Sequence, residues 1–356
     1  MRKTTHILKT TPSIISSAAI GSKMESEGPM GDYFDKINED PYMTTDTFEK
    51  GESQLQKQAV YHALQKAQLD ESDIDVMFGG DLLNQCVGTT YGIRDYGIPF
   101  LGIYGACSTM AEGLLFSSLF VDGGYAKKAL AVTSSHFCTA ERQYRFPLNY
   151  GGQRPPTAQW TATASGSLIV SKKDKPPYIR AVTIGKIVDM GVTDANNMGA
   201  AMAPAAYDTI CNFLNDTDTS PQDYDGIFTG DLGYIGKEIL TELAQDKGYN
   251  IKSNYNDCGV MLYNLEEQKS VLAGGSGPVC SALVNFGFVY NEMKKGNFTQ
   301  EEIESAKLDI KNSYKEISDY GEALSEYGAQ AEELGLILDQ ETIDSLNTLN
   351  DTVDVL

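Results

Sequence analysis

One cysteine stands where a chain would place a reactive thiol. Cys107 lies in Gly105-Ala106-Cys107-Ser108-Thr109, between a buried apolar stretch (100–106) and an apolar helical stretch (108–121). A thiol at a helix start meets unpaired N–H groups and the positive end of the helix dipole, which favour thiolate and nucleophilic attack. The same pattern also fits a small residue packed beneath the helix. Acid–base work would need a partner, and the chain has three histidines, His6, His62 and His136, none beyond residue 136. His136 ends the strand-like Thr133-Ser134-Ser135-His136, a place for either a base or a hydrogen-bonded structural group.

The second unusual region is Glu141-Arg142-Gln143-Tyr144-Arg145-Phe146-Pro147, followed by Gln153-Arg154. From 142 to 193 there are eight Lys/Arg and two acids, Asp174 and Asp189. Guanidinium forks match carboxylates bidentately, and an aromatic neighbour stacks on a flat ring. Arginines paired with the chain's own surplus carboxylates are the plainer alternative.

The elements that must position these groups alternate. Strand signals at 12–21, 73–80, 100–106, 129–135 and 165–171 are interleaved with helical stretches at 47–68 and 108–121. Such alternation predicts βαβ units, with helices covering a sheet. The second half repeats the first. Asp73, Asp75, Phe78, Gly80, Asp81 and Leu82 recur as Asp223, Asp225, Phe228, Gly230, Asp231 and Leu232 at one constant offset. Each copy leads to a Gly-rich turn and a helix, YGACSTMAEGLLF in one and GGSGPVCSALVNF in the other. This predicts a duplicated α/β fold, with halves at 1–174 and 175–296. The first half continues after its helix into two further strands, whereas the second runs into an acidic segment. Two strands are therefore expected to be missing there, and 297–356 to be a mostly helical or disordered tail.

Composition narrows the function classes. With 41% hydrophobic and 22% charged residues in 356, the chain is globular, not fibrous or wholly disordered. Its net charge of −21 argues against nucleic acid or an anionic membrane as the main partner. Residues 297–356 hold 15 acidic and 3 basic residues, so the charge is uneven. Six scattered cysteines without a C-x-x-C pair support neither a zinc site nor a secreted disulfide framework, and no metal ligand set is expected. No signal peptide or transmembrane run is read, so a cytoplasmic or membrane-peripheral location is expected. GDLL and GDLG lack the glycine pattern of a nucleotide loop, no cofactor is expected, and Asp81 and Asp231 read as caps of equivalent turns.

Several long motifs carry a family resemblance. IPFLGIYGACSTMAEGL (98–114), SSHFCTAERQYRFPLNYGGQRPPTAQWTATASG (134–166), MGAAMAPAAYDTI (198–210) and YDGIFTGDLG (224–233) resemble the stage V sporulation protein AD family, over about residues 1–296. The resemblance implies a thiolase-like fold related to the condensing enzymes of fatty-acid synthesis. It also implies a noncatalytic subunit that binds dipicolinate, free or with calcium, for uptake into the developing spore beside membrane subunits of the channel. A homodimer is left open. In thiolase-like enzymes Cys107 is the position of the acylated nucleophile, and the family places His136 in the neighbouring pocket. The positions that supply a base or oxyanion partner, near Thr229–Asp231 and Gly274–Gly277, carry no His or Asn. No catalytic residue is therefore assigned. Cys107, His136, Arg142, Tyr144, Arg145 and Arg154 are the expected ligand-binding residues. The alternative is an acyl-transferring condensing enzyme that uses Cys107 with His136.

Overall fold

Serine-rich strands at the centre of the chain need both faces covered and every hydroxyl matched, and the structure supplies both. The computed structural model describes residues 3–144 and 154–295. The chain divides into two units, Met1–Phe298 and Thr299–Leu356. Arg145 and the tail expected at 297–356 lie outside the described residues.

Six strands form the main sheet, in the order Lys36–Asn38, Ser13–Ser22, Ala164–Ser171, Lys128–Ser135, Val76–Gly80 and Phe100–Gly102. Ala164–Ser171 runs antiparallel to both its neighbours, and the other pairs are parallel. Its hydroxyls find backbone carbonyls: Ser165 donates to Thr133 at 2.7 Å and Ser167 to Ala59 at 2.8 Å. Buried polar groups in a sheet core persist only when paired in this way.

Helix Phe48–Ala67 covers one face. Thr47 caps it by accepting from the Lys50 N–H, and Gln68 ends it in a left-handed conformation. Leu55, Ala59, Val60, Ala63 and Leu64 pack on Ile20, Leu130 and Ile169. The opposite face carries two helices, Thr109–Asp122 from the first half and Pro278–Leu283 from the second, with Phe78, Met110, Leu168, Ala282 and Phe286 between them. Gly166 allows the close approach, because a Cβ there would lie 2.6 Å from the Ala282 Cβ. Beyond Leu283 the helix widens into a π-turn over Val284–Val289, and Ser17 donates to the Phe286 carbonyl at 2.8 Å. Helix Pro278–Leu283 is thus seated on the first half's sheet.

The duplication is visible in local structure. Asp73 and Asp223 each close a capping box, with Asp70 and Ser220 respectively. The strands differ. Outside the main sheet the described strands occur as pairs: Thr5–Ile7 with Ala181–Thr183 and Trp160–Thr161 with Gly275–Ser276 across the halves, and Ile227–Thr229 with Tyr255–Asp257 within the second. The two strands expected to be missing from the second half would lie beyond Lys295, outside the described residues. Helix Met198–Thr217 buries only Gly199, Ala203 and Leu214, and leaves Met202, Tyr207 and Ile210 half-buried. Leu55→Ala should therefore cost about 2–5 kcal/mol, and Ile210→Ala roughly half as much. Denaturant unfolding of the two variants checks this, and equal costs would contradict the asymmetry.

Candidate functional site

The strands Val76–Gly80 and Phe100–Gly102 end at the same edge of the sheet, and the chain turns there into helix Thr109–Asp122. Gly80 is required at that edge, since a Cβ would lie 2.2 Å from the Ile103 carbonyl oxygen. Ala106 takes a left-handed conformation, φ 48°, rare for a residue with a side chain. The Ser108 N–H and hydroxyl both donate to the Gly105 carbonyl, at 3.0 and 2.8 Å. The turn Ala106–Ser108 is thereby locked with Cys107 at its centre.

The facing turn comes from the second half. Gly277 has φ 101°, and Pro278 begins the helix behind it. The Gly277 N–H donates to the Asp231 carboxylate at 2.7 Å, and the same carboxylate faces the Cys107 thiol. Cys107 is half-buried as a residue, but its thiol is enclosed by Asp231, Ser276 and Gly277. Burial and the Asp231 charge push the thiol well above its ordinary value, against the smaller effect of the Gly277 N–H and Ser276. The expectation that a helix start would favour thiolate is corrected: desolvation and an adjacent carboxylate outweigh the dipole. Burial also pushes Asp231 up, to about 7.

Asp81 and Asp231 do not cap equivalent turns, a second correction. Asp81 accepts from the Leu83 N–H at 2.8 Å and from the Thr89 N–H and hydroxyl at 2.7 and 2.5 Å. In the second half the turn after the strand is held by Asp257, which accepts from Leu232, Gly233 and Thr229. Asp231 is thereby released to face Cys107. Gln159 fixes this arrangement, donating to the Asp231 and Gly275 carbonyls at 2.8 and 2.7 Å.

The expected ligand residues fall into three groups. Tyr144 stands near Cys107, whose charge its hydroxyl would feel. It donates to the Leu82 carbonyl at 2.7 Å and lies 2.5 Å from the Tyr104 hydroxyl, and both rings are about half exposed. Burial, and then Tyr104, hold the Tyr144 hydroxyl far above its ordinary value, so it is neutral. His136 and Arg142 share a different neighbour, Phe48. His136 is 1% exposed; one ring nitrogen, Nε2, lies 2.8 Å from the Pro41 carbonyl, and the other accepts from the Cys138 N–H at 3.1 Å. Burial lowers its pKa, which leaves a neutral ring with both nitrogens occupied. Arg142 pairs with Glu49 at 2.6 Å. Arg154 donates to the Ser270 carbonyl at 2.8 Å and to the Gln159 carbonyl, and lies over the Trp160 ring. It braces the residue that orients Asp231. Tyr104, Asp231, Ser276 and Gly277 were not among the expected residues. Two signals pointed to Asp231: its match to Asp81 in the repeat, and the resemblance, which puts Thr229–Asp231 and Gly274–Gly277 at the partner positions of condensing enzymes.

Comparison with known proteins agrees with this architecture. A model of the stage V sporulation protein AD family matches residues 2–303. Stage V sporulation protein AD of Bacillus subtilis (strain 168) is 44% identical over 291 residues, covering 81% of this chain and 85% of that protein. The chain belongs to the stage V sporulation protein AD family. Among solved structures, cerulenin-bound OleA of Xanthomonas campestris superposes with a TM-score of 0.55 at 11% identity, covering 80% of this chain and 90% of that one. 3-Oxoacyl-(acyl carrier protein) synthase III from Xanthomonas oryzae pv. oryzae also gives 0.55 at 11%, covering 82% and 93%. These similarities show a thiolase-like fold for this family member. No helix among the described residues is long and apolar enough to cross a membrane.

Behind the site lies a second buried acid. Glu52 accepts from the Ser134 hydroxyl at 2.9 Å and lies 2.6 Å from the Thr139 hydroxyl, which also lies 2.9 Å from the His136 carbonyl. One hydroxyl proton cannot serve two acceptors, and a protonated Glu52 resolves the conflict by donating to Thr139. Burial, followed by the Asp81 charge, pushes Glu52 up from 4.5 to about 8. Between those values the folded state holds a proton that the unfolded state releases, so stability falls as pH rises from about 4.5 to about 8. Glu52→Gln should flatten the upper part of that slope in urea titrations across the range; an unchanged slope would refute the assignment. For Asp231→Asn, the lost charge should speed iodoacetamide labelling of Cys107 at about pH 8 several-fold. Peptide mass spectrometry reads the rate, with the other five cysteines as internal controls.

Proposed function

We propose that this chain is a noncatalytic binding subunit that takes dipicolinate, free or as its calcium chelate, at the Cys107 turn during sporulation. The observation that carries the reading is the pairing of the Cys107 thiol with the Asp231 carboxyl group. A thiol kept protonated beside a carboxylate is a poor nucleophile, and its one proton turns to a ligand only when Asp231 is itself protonated. Asp231, raised to about 7, is partly protonated near neutrality and then donates as well. The half-exposed rings of Tyr104 and Tyr144 offer flat apolar surface and a hydroxyl pair next to it. Dipicolinate is a planar aromatic dianion, whose ring suits those faces and whose carboxylates need donors. Its calcium chelate would instead meet an ionised Asp231. Delivery to membrane subunits of the spore channel is the family role that this reading adopts.

One observation favours the runner-up, an acyl-transferring enzyme. The left-handed Ala106 presents Cys107 at a helix start, as a nucleophile would be presented. His136 offers no free nitrogen to activate it. Incubation with radiolabelled acyl-CoA separates the readings, because stable label on Cys107, lost in Cys107→Ala, belongs only to the enzyme.

Calorimetry with dipicolinate, with and without calcium, tests the binding reading. Tyr144→Phe and Cys107→Ala should each weaken binding by about 1–2 kcal/mol, roughly five- to thirtyfold. Arg142→Ala should change it little, because Glu49 already holds that guanidinium. Unaltered affinity in the first two variants would move the ligand elsewhere.

A further inference from the structure

Two carboxylates are buried side by side under the Cys107 turn, and they are supplied unequally. Asp257 is fully buried and accepts from the Thr229 hydroxyl and from the N–H groups of Leu232, Gly233 and Val260, at 2.7, 2.8, 3.0 and 3.2 Å. Asp231 is 4% exposed and accepts from a single N–H among the described residues, that of Gly277 at 2.7 Å. A Cβ on Gly259 would lie 3.1 Å from the Asp257 carboxylate and 3.3 Å from the Asp231 Cα, so the two acids adjoin. The other titratable groups that face Asp231 are thiols that burial keeps protonated: Cys107 from its turn, Cys258 from helix Cys258–Met261 and Cys280 from helix Pro278–Leu283. The charge of Asp257 is also felt by Lys237, from helix Gly233–Asp246. Two adjoining buried carboxylates resist joint ionisation, and the proton goes to the one with fewer donors. That one is Asp231, the acid that faces the Cys107 thiol.

We infer that a proton on Asp231 selects the charge of the ligand held at this site: the free dianion enters with a proton bound there, and the calcium chelate enters with Asp231 ionised. The switch rests on the binding function proposed above and adds its control. The proton comes from solvent and goes to a carboxylate oxygen of Asp231. With it in place, Asp231 and the Cys107 thiol each have a proton to donate to an arriving carboxylate. Without it, the ionised Asp231 repels the dianion and keeps the thiol proton turned to itself. The neutral chelate reverses the balance, because its calcium takes oxygen ligands and an ionised carboxylate is one. Burial, the largest effect, brings Asp231 up to about 7, so the exchange falls near neutrality.

The test is calorimetry of the full chain with dipicolinate alone and with dipicolinate saturated with calcium, across about pH 6 to 9. Repeating the titrations near pH 8 in Hepes and in Tris, which differ in ionisation heat, counts the protons exchanged. Free dipicolinate should take up about one proton at pH 8 and lose about a hundredfold in affinity between pH 6 and 9, because the protonated site becomes scarce. The chelate should take up none at pH 8 and gain about tenfold between pH 6 and 8. Asp231→Asn, whose amide donates at every pH, should remove both slopes. Glu52→Gln should keep both, which separates Asp231 from the other acid that titrates in this range. If Asp231→Asn does not fold, the proton count on wild type decides alone. Parallel slopes for the two ligand forms, or no uptake with free dipicolinate at about pH 8, would overturn the inference and leave the binding function standing. Slopes lost in Glu52→Gln but kept in Asp231→Asn would overturn it too. Absence of heat with either form at every pH, in both buffers, would remove the binding function and the switch with it.

Discussion

A single buried carboxylate ties the two halves together. Asp231 accepts from the Gly277 N–H at 2.7 Å and faces the Cys107 thiol, and these belong to turns 170 residues apart in the chain. Helix Pro278–Leu283 must lie across the first half's sheet for Gly277 to arrive there, which needs Gly166 and Ala282 in close contact. The turn around Asp231 must also be held by something else, and Asp257 takes that task with its own set of donors. Take away the Asp231 contacts and the facing turns keep only the weaker approach of Gly277 and Ser276 to the thiol. The carboxylate would then be buried without compensation, a cost of several kcal/mol.

The same physics recurs at other buried acids. Glu25 is fully buried and accepts from the Thr163 N–H at 2.9 Å and the Tyr263 hydroxyl at 2.6 Å, joining the first sheet to the second half. Glu52 and Asp81 are linked through Ser134, Gln56 and Thr89. Asp81 collects three donors and Glu52 fewer. Burial raises all of these groups, and their donors oppose the rise.

Residues with chemical promise were recruited for structure wherever a nearer partner existed. Arg142 has Glu49, Arg154 has two carbonyls, and His136 has a carbonyl and an N–H. Residues without promise filled the site instead: a turn aspartate, a serine and a glycine.

Local signals sufficed for much of this. Alternating apolar runs foretold the strands and the covering helix, and the repeated Asp-x-Asp…Gly-Asp-Leu motif foretold the likeness of the two halves, which the structure shows in their matching capping boxes. They sufficed because these features depend on neighbours a few residues away. The turn at Cys107 was legible for the same reason, and the family motifs supplied the fold. The resemblance implied which segments face the thiol, but which group of them meets it was not legible. Asp81 and Asp231 are identical in type and equivalent in the repeat, yet one caps its own turn and the other binds Gly277 and faces Cys107. That difference arises from Asp257 and from the seating of a helix on another half's sheet, neither of which any local pattern encodes. The thiol's protonation followed the same rule: helix start is written in the chain, but burial and an opposing carboxylate are decided only when the halves pack.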